Sequence, residues 1–155
     1  SVIGRLPGYA RSFCMRSIHH RGSVERPGLV LALDADTGTA CDGMALRVAP
    51  GTEEATLAYL RERELVSSAY VEKTLDVQLE DGRTVAALVY VIDAEHDQYC
   101  GGLPLEEQAQ IISGAVGGMG PNTEYLFNTA AHLTQIGLHD PSLAWLHDRV
   151  KTLCA

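Results

Sequence analysis

Apolar and polar positions alternate over much of the first third of the chain. Residues 9–18 mix aromatic and polar side chains in near alternation, which predicts a half-buried strand. Residues 29–33 form a short apolar run after the turn signal Pro27-Gly28 and predict a buried strand. After a polar turn, residues 44–48 predict the next strand. This third of the chain therefore predicts the strands of a sheet.

The middle of the chain predicts a helix followed by a hairpin. Thr52 is a candidate N-cap, the two acidic residues after it suit the positive end of a helix dipole, and we expect the helix to run into Glu64. The pattern then becomes typical of strands over residues 70–79 and 84–92. Between them, Asp81-Gly82 is a strong hairpin signal.

The last third has the spacing of helices. Residues 104–116 repeat apolar side chains at helical intervals, and a second helix is expected to begin with Asn122 as its cap and to end at Gly137. Asp140-Pro141 is a good cap and first-turn pair for a third helix. The glycines of residues 117–120 predict a helix break, with an anion cradle as the alternative. Strands first and helices mainly last predict an α+β fold with a strongly curved, barrel-like sheet.

Composition narrows the class of protein. A length of 155 residues is typical of one domain, predicted over residues 1–155. Twelve basic against 20 acidic residues give a formal charge of −8, which disfavours nucleic acid or an anionic membrane as the main partner. No apolar run in these 155 residues approaches the length of a membrane span, and we see no secretory signal pattern in them. The four cysteines form no CxxC pair, so they suggest neither a zinc site nor a redox motif, and they fit a reducing cytoplasm.

The stretch YLRERELVSSAY, residues 59–70, holds the main candidate for chemistry. Glu64 is expected where helix becomes strand, and a carboxylate there can point into a cavity. The alternative is that Glu64 belongs to a solvated run of alternating charges at a helix end. His19 and His20 predict a solvated loop and no metal site, because no third ligand is placed nearby.

Four blocks resemble the ChaC-like γ-glutamylcyclotransferase family, which acts on glutathione. They span nearly the whole chain in the family's order: GYARSFCMRSIHHRG with ERPGLVLAL (8–33), YLRERELVSSAY (59–70), YVIDAEHDQYCGGL (90–103) and GPNTEYLFNTAAHL (120–133). The resemblance implies the γ-glutamylcyclotransferase-like fold, a mixed barrel with flanking helices. It also implies cleavage of glutathione to 5-oxoproline and cysteinylglycine, without a metal or another cofactor.

The resemblance also implies the site residues. Glu64 falls on the family's acid/base, and Tyr70 and Tyr125 match positions expected to line the substrate pocket. Asn122 belongs to the same NTEYL block as Tyr125. Arg21 and Arg63 are candidate donors to the substrate carboxylates, with a surface role as the alternative for each. One carboxylate can serve as base and then as acid, because the substrate's own amine attacks its γ-carbonyl.

One departure from the family pattern carries its own expectations. The family begins with a strand and turn of the form YGSL that receives the γ-glutamyl group, and this chain starts after that place. We therefore expect the 155-residue chain alone to be inactive or nearly so, and to self-associate through an exposed sheet edge. Two other functions remain open: a cyclotransferase for other γ-glutamyl-amino acids or amines, and an inactive interaction module.

Overall fold

The computed structural model describes residues 1–65 and 68–155. Over these residues the α+β class is confirmed. The elements in chain order are β1 (Val2–Ser17), β2 (Gly28–Ala45), α1 (Glu53–Glu64), β3 (Tyr70–Leu79), β4 (Thr84–Ile92), α2 (Leu105–Gly114), β5 (Val116–Gly117), β6 (Gly120–Pro121), α3 (Asn122–Gln135) and α4 (Pro141–Leu153).

The chain divides into two compact units. The first unit contains Ser1–Arg11 and Leu33–Tyr99, and the second contains Ser12–Ala32 and Cys100–Ala155. Strands β1 and β2 each contribute residues to both units. The expectation of a single domain over residues 1–155 stays a prediction.

The main sheet has four strands in the order β2-β1-β3-β4. Strand β3 pairs antiparallel with β1, where Gly4 lies opposite Leu79, and antiparallel with β4. Within the described residues, β2 and β4 are the edge strands, so the sheet is open and is not closed into a barrel. The sequence pattern predicts strands but does not say whether the two edges meet.

The β3–β4 hairpin has the bounds that its apolar pattern predicts. Gly82 has a φ of +93°, a backbone conformation that glycine adopts at no steric cost, and its N–H donates to Leu79 O at 3.0 Å. The Leu79 N–H in turn donates to Arg83 O at 2.7 Å. A turn at this position places residue pairs such as Glu72 and Tyr90 directly opposite each other.

The first two strands are longer than predicted. β2 runs without a break from Gly28 to Ala45, so the two separate strands expected at residues 29–33 and 44–48 are wrong, and residues 46–48 lie outside any strand. The polar run that suggested a turn is a mostly exposed part of the strand, where polar side chains can face solvent.

Each unit has its own core. In the first unit, Leu6, Val77 and Leu79 are buried on one side of the sheet, with partly buried apolar residues packed around them. In the second unit, α2, α3 and α4 contact one another, and their apolar faces are buried as the helical spacing predicts: Ala109, Ile112, Leu126, Leu133, Leu143, Leu146 and Val150. None of the helices in the described part of the chain is long and apolar enough to cross a bilayer.

The helix ends of the second unit separate two predictions. Asp140 caps α4 as predicted, because its Oδ1 accepts from the Leu143 N–H at 3.0 Å. Asn122 is not a cap: it is the first residue of α3, and its side chain bonds to Leu29 instead. The glycine-rich residues between α2 and α3 break the helix as predicted, and they form the short hairpin of β5 and β6.

Candidate functional site

Glu64 is the last residue of α1, in the first unit. Its side chain is 29% exposed, against 66% for the neighbouring Arg63, whose Nε lies 3.5 Å from Glu64 Oε1. Glu62 is exposed. Glu64 is therefore the least exposed of the charged side chains in this run. The sequence left open whether Glu64 is a buried base or a solvated surface charge, and its exposure lies between these two alternatives.

The connection from α1 to β3 is held at both of its described ends. The Ser68 N–H donates to Leu65 O at 3.2 Å, and Ser68 has a φ of +55°, in the left-handed region. Ala69 is fully buried, and its carbonyl accepts from the Asp93 N–H at 2.8 Å. Tyr70 then starts β3, half-buried and opposite Ile92. Residues 66 and 67 of the YLRERELVSSAY stretch lie outside the described residues.

A polar network joins the end of α1 to both strands of the hairpin. Arg61 binds Glu72 with two prongs, Nε to Oε1 and Nη2 to Oε2, each at 3.0 Å. The Tyr90 hydroxyl donates to the same Oε1 at 2.8 Å. The Arg61 hydrogen bond, followed by that of Tyr90, lowers the pKa of Glu72. Burial, followed by the hydrogen bond to Glu72, raises the pKa of Tyr90 to about 12.

Arg21, Asn122 and Tyr125 come together in the second unit. The guanidinium carbon of Arg21 lies 5.8 Å from the centre of the Tyr125 ring, a cation–π distance, and the Arg21 side chain is only 14% exposed. Arg21 Nη1 donates to Pro121 O at 3.1 Å and to Glu124 Oε1 at 3.3 Å. Both bonds start from Nη1, so among the described residues the N–H groups of Nε and Nη2 remain for another acceptor.

Tyr125 is held from two sides. Its hydroxyl oxygen accepts from the Leu31 N–H at 3.0 Å, and its ring meets Phe13 edge to face at 6.1 Å. Burial raises the pKa of Tyr125 above its ordinary value. An oxygen that accepts this bond keeps its own proton, so the phenol can still donate to a ligand.

Asn122 acts as a backbone partner for Leu29. Its Oδ1 accepts from the Leu29 N–H at 2.8 Å, its Nδ2 donates to Leu29 O at 2.9 Å, and the side chain is fully buried. The amide therefore stands where another strand would pair with β2. A Cβ on Gly28 would lie 2.7 Å from Asn122 Oδ1, so only glycine leaves room for this contact.

Gly22, the glycine of the HRG part of the first block, lies where no side chain fits. A Cβ on Gly22 would collide with the backbone of Gly28 and of Ser17. The backbone on both sides of the loop is therefore packed in direct contact, and this contact holds Arg21 in position. The backbone N–H of Arg21 donates to Ser17 Oγ at 2.9 Å, which closes the same turn.

The network of Arg61, Glu72 and Tyr90 was not predicted from the sequence. Its signal was present in part, because a hairpin turn at Asp81-Gly82 places Glu72 opposite Tyr90. The contact of Arg61 with that pair depends on where α1 lies against the hairpin, which no spacing in the sequence reports. Among the described residues, no group of three or more His, Cys, Asp or Glu could hold a metal ion.

Comparison with known proteins identifies the family. The model of the ChaC-like proteins matches residues 1–153. The chain belongs to the ChaC-like family. The glutathione-specific γ-glutamylcyclotransferase of Escherichia coli is 36% identical over 155 residues, which are all of this chain and 66% of that protein. The human glutathione-specific γ-glutamylcyclotransferase 1 is 32% identical over 99% of this chain and 71% of its own length.

A solved structure supports the fold of this ChaC-like chain. A yeast γ-glutamylcyclotransferase specific to glutathione superposes with a TM-score of 0.82, covering 97% of this chain and 87% of the yeast chain. At 20% sequence identity this likeness shows the fold alone. The expected family and fold are confirmed, while the roles of Glu64, Tyr70, Arg21, Asn122 and Tyr125 stay predictions.

Proposed function

We propose that this ChaC-like protein is a glutathione-specific γ-glutamylcyclotransferase, a lyase that converts glutathione to 5-oxoproline and cysteinylglycine. The observation that carries the proposal is the family match along residues 1–153, together with E. coli and human relatives that bear this activity in their names. The chain spans 66% of the E. coli relative and 71% of the human one, so the activity is proposed for the protein with whatever coding sequence adjoins this chain.

The reaction needs one group that moves protons. The α-amine of the γ-glutamyl group attacks its own γ-carbonyl, a C–N bond forms to close the five-membered ring, and the C–N bond to the cysteinyl nitrogen breaks. Holding the amine against the carbonyl supplies an effective concentration on the order of 10⁵ M or more. Glu64 takes the proton from the attacking amine and gives one to the departing cysteinyl amine, so its carboxylate is restored at the end of each turnover.

The surroundings of Glu64 support this role. A half-buried carboxylate can reach a substrate and exchange protons with it, while a fully solvated one competes with water for the same contact. The carboxylate closes a helix whose last turn is tied to the hairpin through Arg61. Tyr70 begins the strand that follows, and we propose that its side chain lines the substrate site.

The second-unit residues support a binding role by their chemistry. Arg21 has two nitrogens, Nε and Nη2, whose N–H groups bond to no other described residue and can bind a carboxylate. Glutathione has two carboxylates, and Tyr125 keeps a phenolic proton that it can donate. Asn122 is committed to Leu29, so we propose that it contributes to binding by fixing the backbone beside these two side chains.

The partner we propose is a small molecule, glutathione, and the chemistry above requires no cofactor. The cytoplasm is the proposed location, because glutathione is held there in reduced form. Self-association stays a prediction of the sequence.

A broader substrate range is the second candidate. Two relatives from Arabidopsis thaliana are named γ-glutamylcyclotransferase 2-3 and 2-1, with no substrate in the name, at 30% and 36% identity. Comparable catalytic efficiency on glutathione and on γ-glutamyl-alanine would favour this candidate. A strong preference for glutathione is expected if binding of the cysteinylglycine half helps to align the amine.

The test measures 5-oxoproline released from glutathione by the purified product of the whole gene. Glu64→Gln keeps size and shape but cannot accept the proton, so turnover should fall by about 10²- to 10⁴-fold. Glu62→Gln is the matched control, because it changes an exposed glutamate in the same helical turn and should leave turnover unchanged. Wild-type turnover by Glu64→Gln would refute the assignment of the acid/base, and no release by the unmutated protein would refute the function.

A further inference from the structure

Helix α1 is unusual in how it is held against its unit. None of its residues, Glu53–Glu64, is buried, and its best apolar side chains, Leu57 and Leu60, are only half-buried. Most helices of globular proteins are placed by an apolar face packed on a core. A helix without a buried residue needs polar contacts to define its position, and such a contact at its C-terminal end is the pair of bonds from Arg61 to Glu72.

This contact is placed where it acts on Glu64. Arg61 and Glu64 are three residues apart, so their side chains leave neighbouring points of the same helix face. The two-pronged bond fixes the guanidinium plane relative to the Glu72 carboxylate, which restricts rotation and sliding of the last turn. The charge of Glu64 is also the smallest of the causes that raise the pKa of Tyr90, after burial and the contacts with Glu72.

The network of Arg61, Glu72 and Tyr90 has a single pattern of donors and acceptors at neutral pH. Glu72 is a carboxylate, because Arg61 and then Tyr90 lower its pKa, so it accepts all of the bonds that reach it. Tyr90 stays protonated and donates. Tyr90 and Arg61 share Oε1 of Glu72, so the hydroxyl from β4 holds the carboxylate in the orientation that suits the guanidinium from α1.

We propose that Arg61, Glu72 and Tyr90 are positioning residues that set the location of the Glu64 carboxylate. The inference rests on the proposed function, in which Glu64 exchanges protons with the substrate. Exposed ion pairs contribute little to stability, so the value of this one lies in geometry. A reacting group displaced by about 1 Å can lose on the order of 100-fold in rate, which is a far larger effect.

The hairpin itself offers a matched control. Arg83 binds Asp81 through Nη2 at 2.8 Å and Nε at 3.0 Å, so it is another arginine–carboxylate pair of the same unit. It lies at the turn between β3 and β4 and, within the part of the chain that the structure describes, makes no bond to α1. Changing Arg83 removes the same kind of interaction without touching the end of α1.

The kinetic experiment compares Arg61→Gln, Glu72→Gln and Tyr90→Phe with Arg83→Gln in the glutathione assay. Arg61→Gln and Glu72→Gln should lower kcat by about 10- to 100-fold with KM changed by less than about twofold, because a misplaced acid/base slows the chemical step. Tyr90→Phe should give a smaller fall in kcat. Arg61→Lys should fall between Arg61→Gln and wild type, because lysine keeps the charge and loses the two-pronged bond. Arg83→Gln should match wild type.

A second readout does not depend on activity. Carbon-13 NMR of the glutamate carboxyl groups, with the Glu64 signal identified by its loss in Glu64→Gln, should show that signal shifted in Arg61→Gln and unshifted in Arg83→Gln. Wild-type kcat in Arg61→Gln and Glu72→Gln, or an unmoved Glu64 signal, would overturn the inference. If the unmutated protein releases no 5-oxoproline, the proposed function fails, and the Glu64 signal alone decides the positioning role.

Discussion

The C-terminal end of α1 in the first unit and the start of α3 in the second are held in place by different kinds of contact. The end of α1 is tied by charged side chains that are partly exposed, with Arg61 at 53% and Glu72 at 21%. The start of α3 is tied by the fully buried Asn122 and by Tyr125, both bonded to the backbone of β2.

The difference concerns what each contact contributes. A buried amide that completes backbone hydrogen bonds stabilises the fold, because its loss leaves polar groups without partners away from water. A partly exposed ion pair adds little to the free energy of unfolding, since water solvates both partners when the pair is broken. The buried amide fixes the backbone of the second unit around Leu29, and the partly exposed ion pair sets the orientation of one side chain. Substitutions should separate stability from geometry accordingly.

The largest expected effect on stability is at Asn122. Asn122→Leu leaves both the N–H and the C=O of Leu29 without their partner in a buried place, so the free energy of unfolding should fall by about 2–5 kcal/mol. Urea unfolding measures it. Asn128→Leu, at an exposed position of the same helix, is the control and should change stability little. An equal, small effect at both positions would show that the Asn122 bonds are not needed.

A smaller loss is expected at Tyr125. Tyr125→Phe keeps the ring and its contact with Phe13 but removes the acceptor of the Leu31 N–H, so unfolding should require about 1 kcal/mol less. Tyr59→Phe, at a side chain that is 60% exposed, should leave the free energy of unfolding unchanged. If the two variants are equally stable, the hydroxyl of Tyr125 does not contribute to the free energy of unfolding.

The smallest effect on stability is expected for the network of Arg61, Glu72 and Tyr90. The same network should show the clearest effect on protonation. The folded pKa of Tyr90 is raised to about 12, so its contribution to stability is complete below the ordinary tyrosine pKa of about 10 and is lost as pH rises through about 12. Glu72→Gln should lower the pKa of Tyr90 only in part, because burial is the larger cause. Ultraviolet absorbance of tyrosinate, with Tyr90→Phe to identify its contribution, follows this titration.

The contribution of Glu72 to stability depends on pH in the opposite direction to that of Tyr90. The pKa of Glu72 is lowered, so its contribution to stability is present above the ordinary glutamate pKa and is lost as pH falls through the lowered value. Arg61→Gln should bring the Glu72 titration back toward its ordinary range in carbon-13 NMR, with little change in melting temperature. A large drop in melting temperature would show that the contact of Arg61 with Glu72 stabilises the fold, as the buried contacts of Asn122 are expected to do.

The sequence predicts several local features of each unit well. The hairpin of β3 and β4 has its predicted bounds because alternating apolar positions and an Asp-Gly turn act within a few residues of each other. Asp140 caps α4 for the same reason. The division of β2 into two strands was wrong because a polar, exposed segment of a strand has the same composition as a turn.

What the sequence by itself determined is the α+β class, the order of most elements, the β3–β4 register and the family, each of which depends on neighbouring residues or on whole blocks of residues. What only the tertiary structure decided is the choice of partner across the chain: Asn122 for Leu29 instead of its own helix, and Arg61 for Glu72 instead of Glu62 or Glu64. Several polar groups of each kind were available, and the sequence does not rank them. The packed backbone selects the partner, because among the described residues only one candidate partner lies within hydrogen-bond distance once the elements have come together.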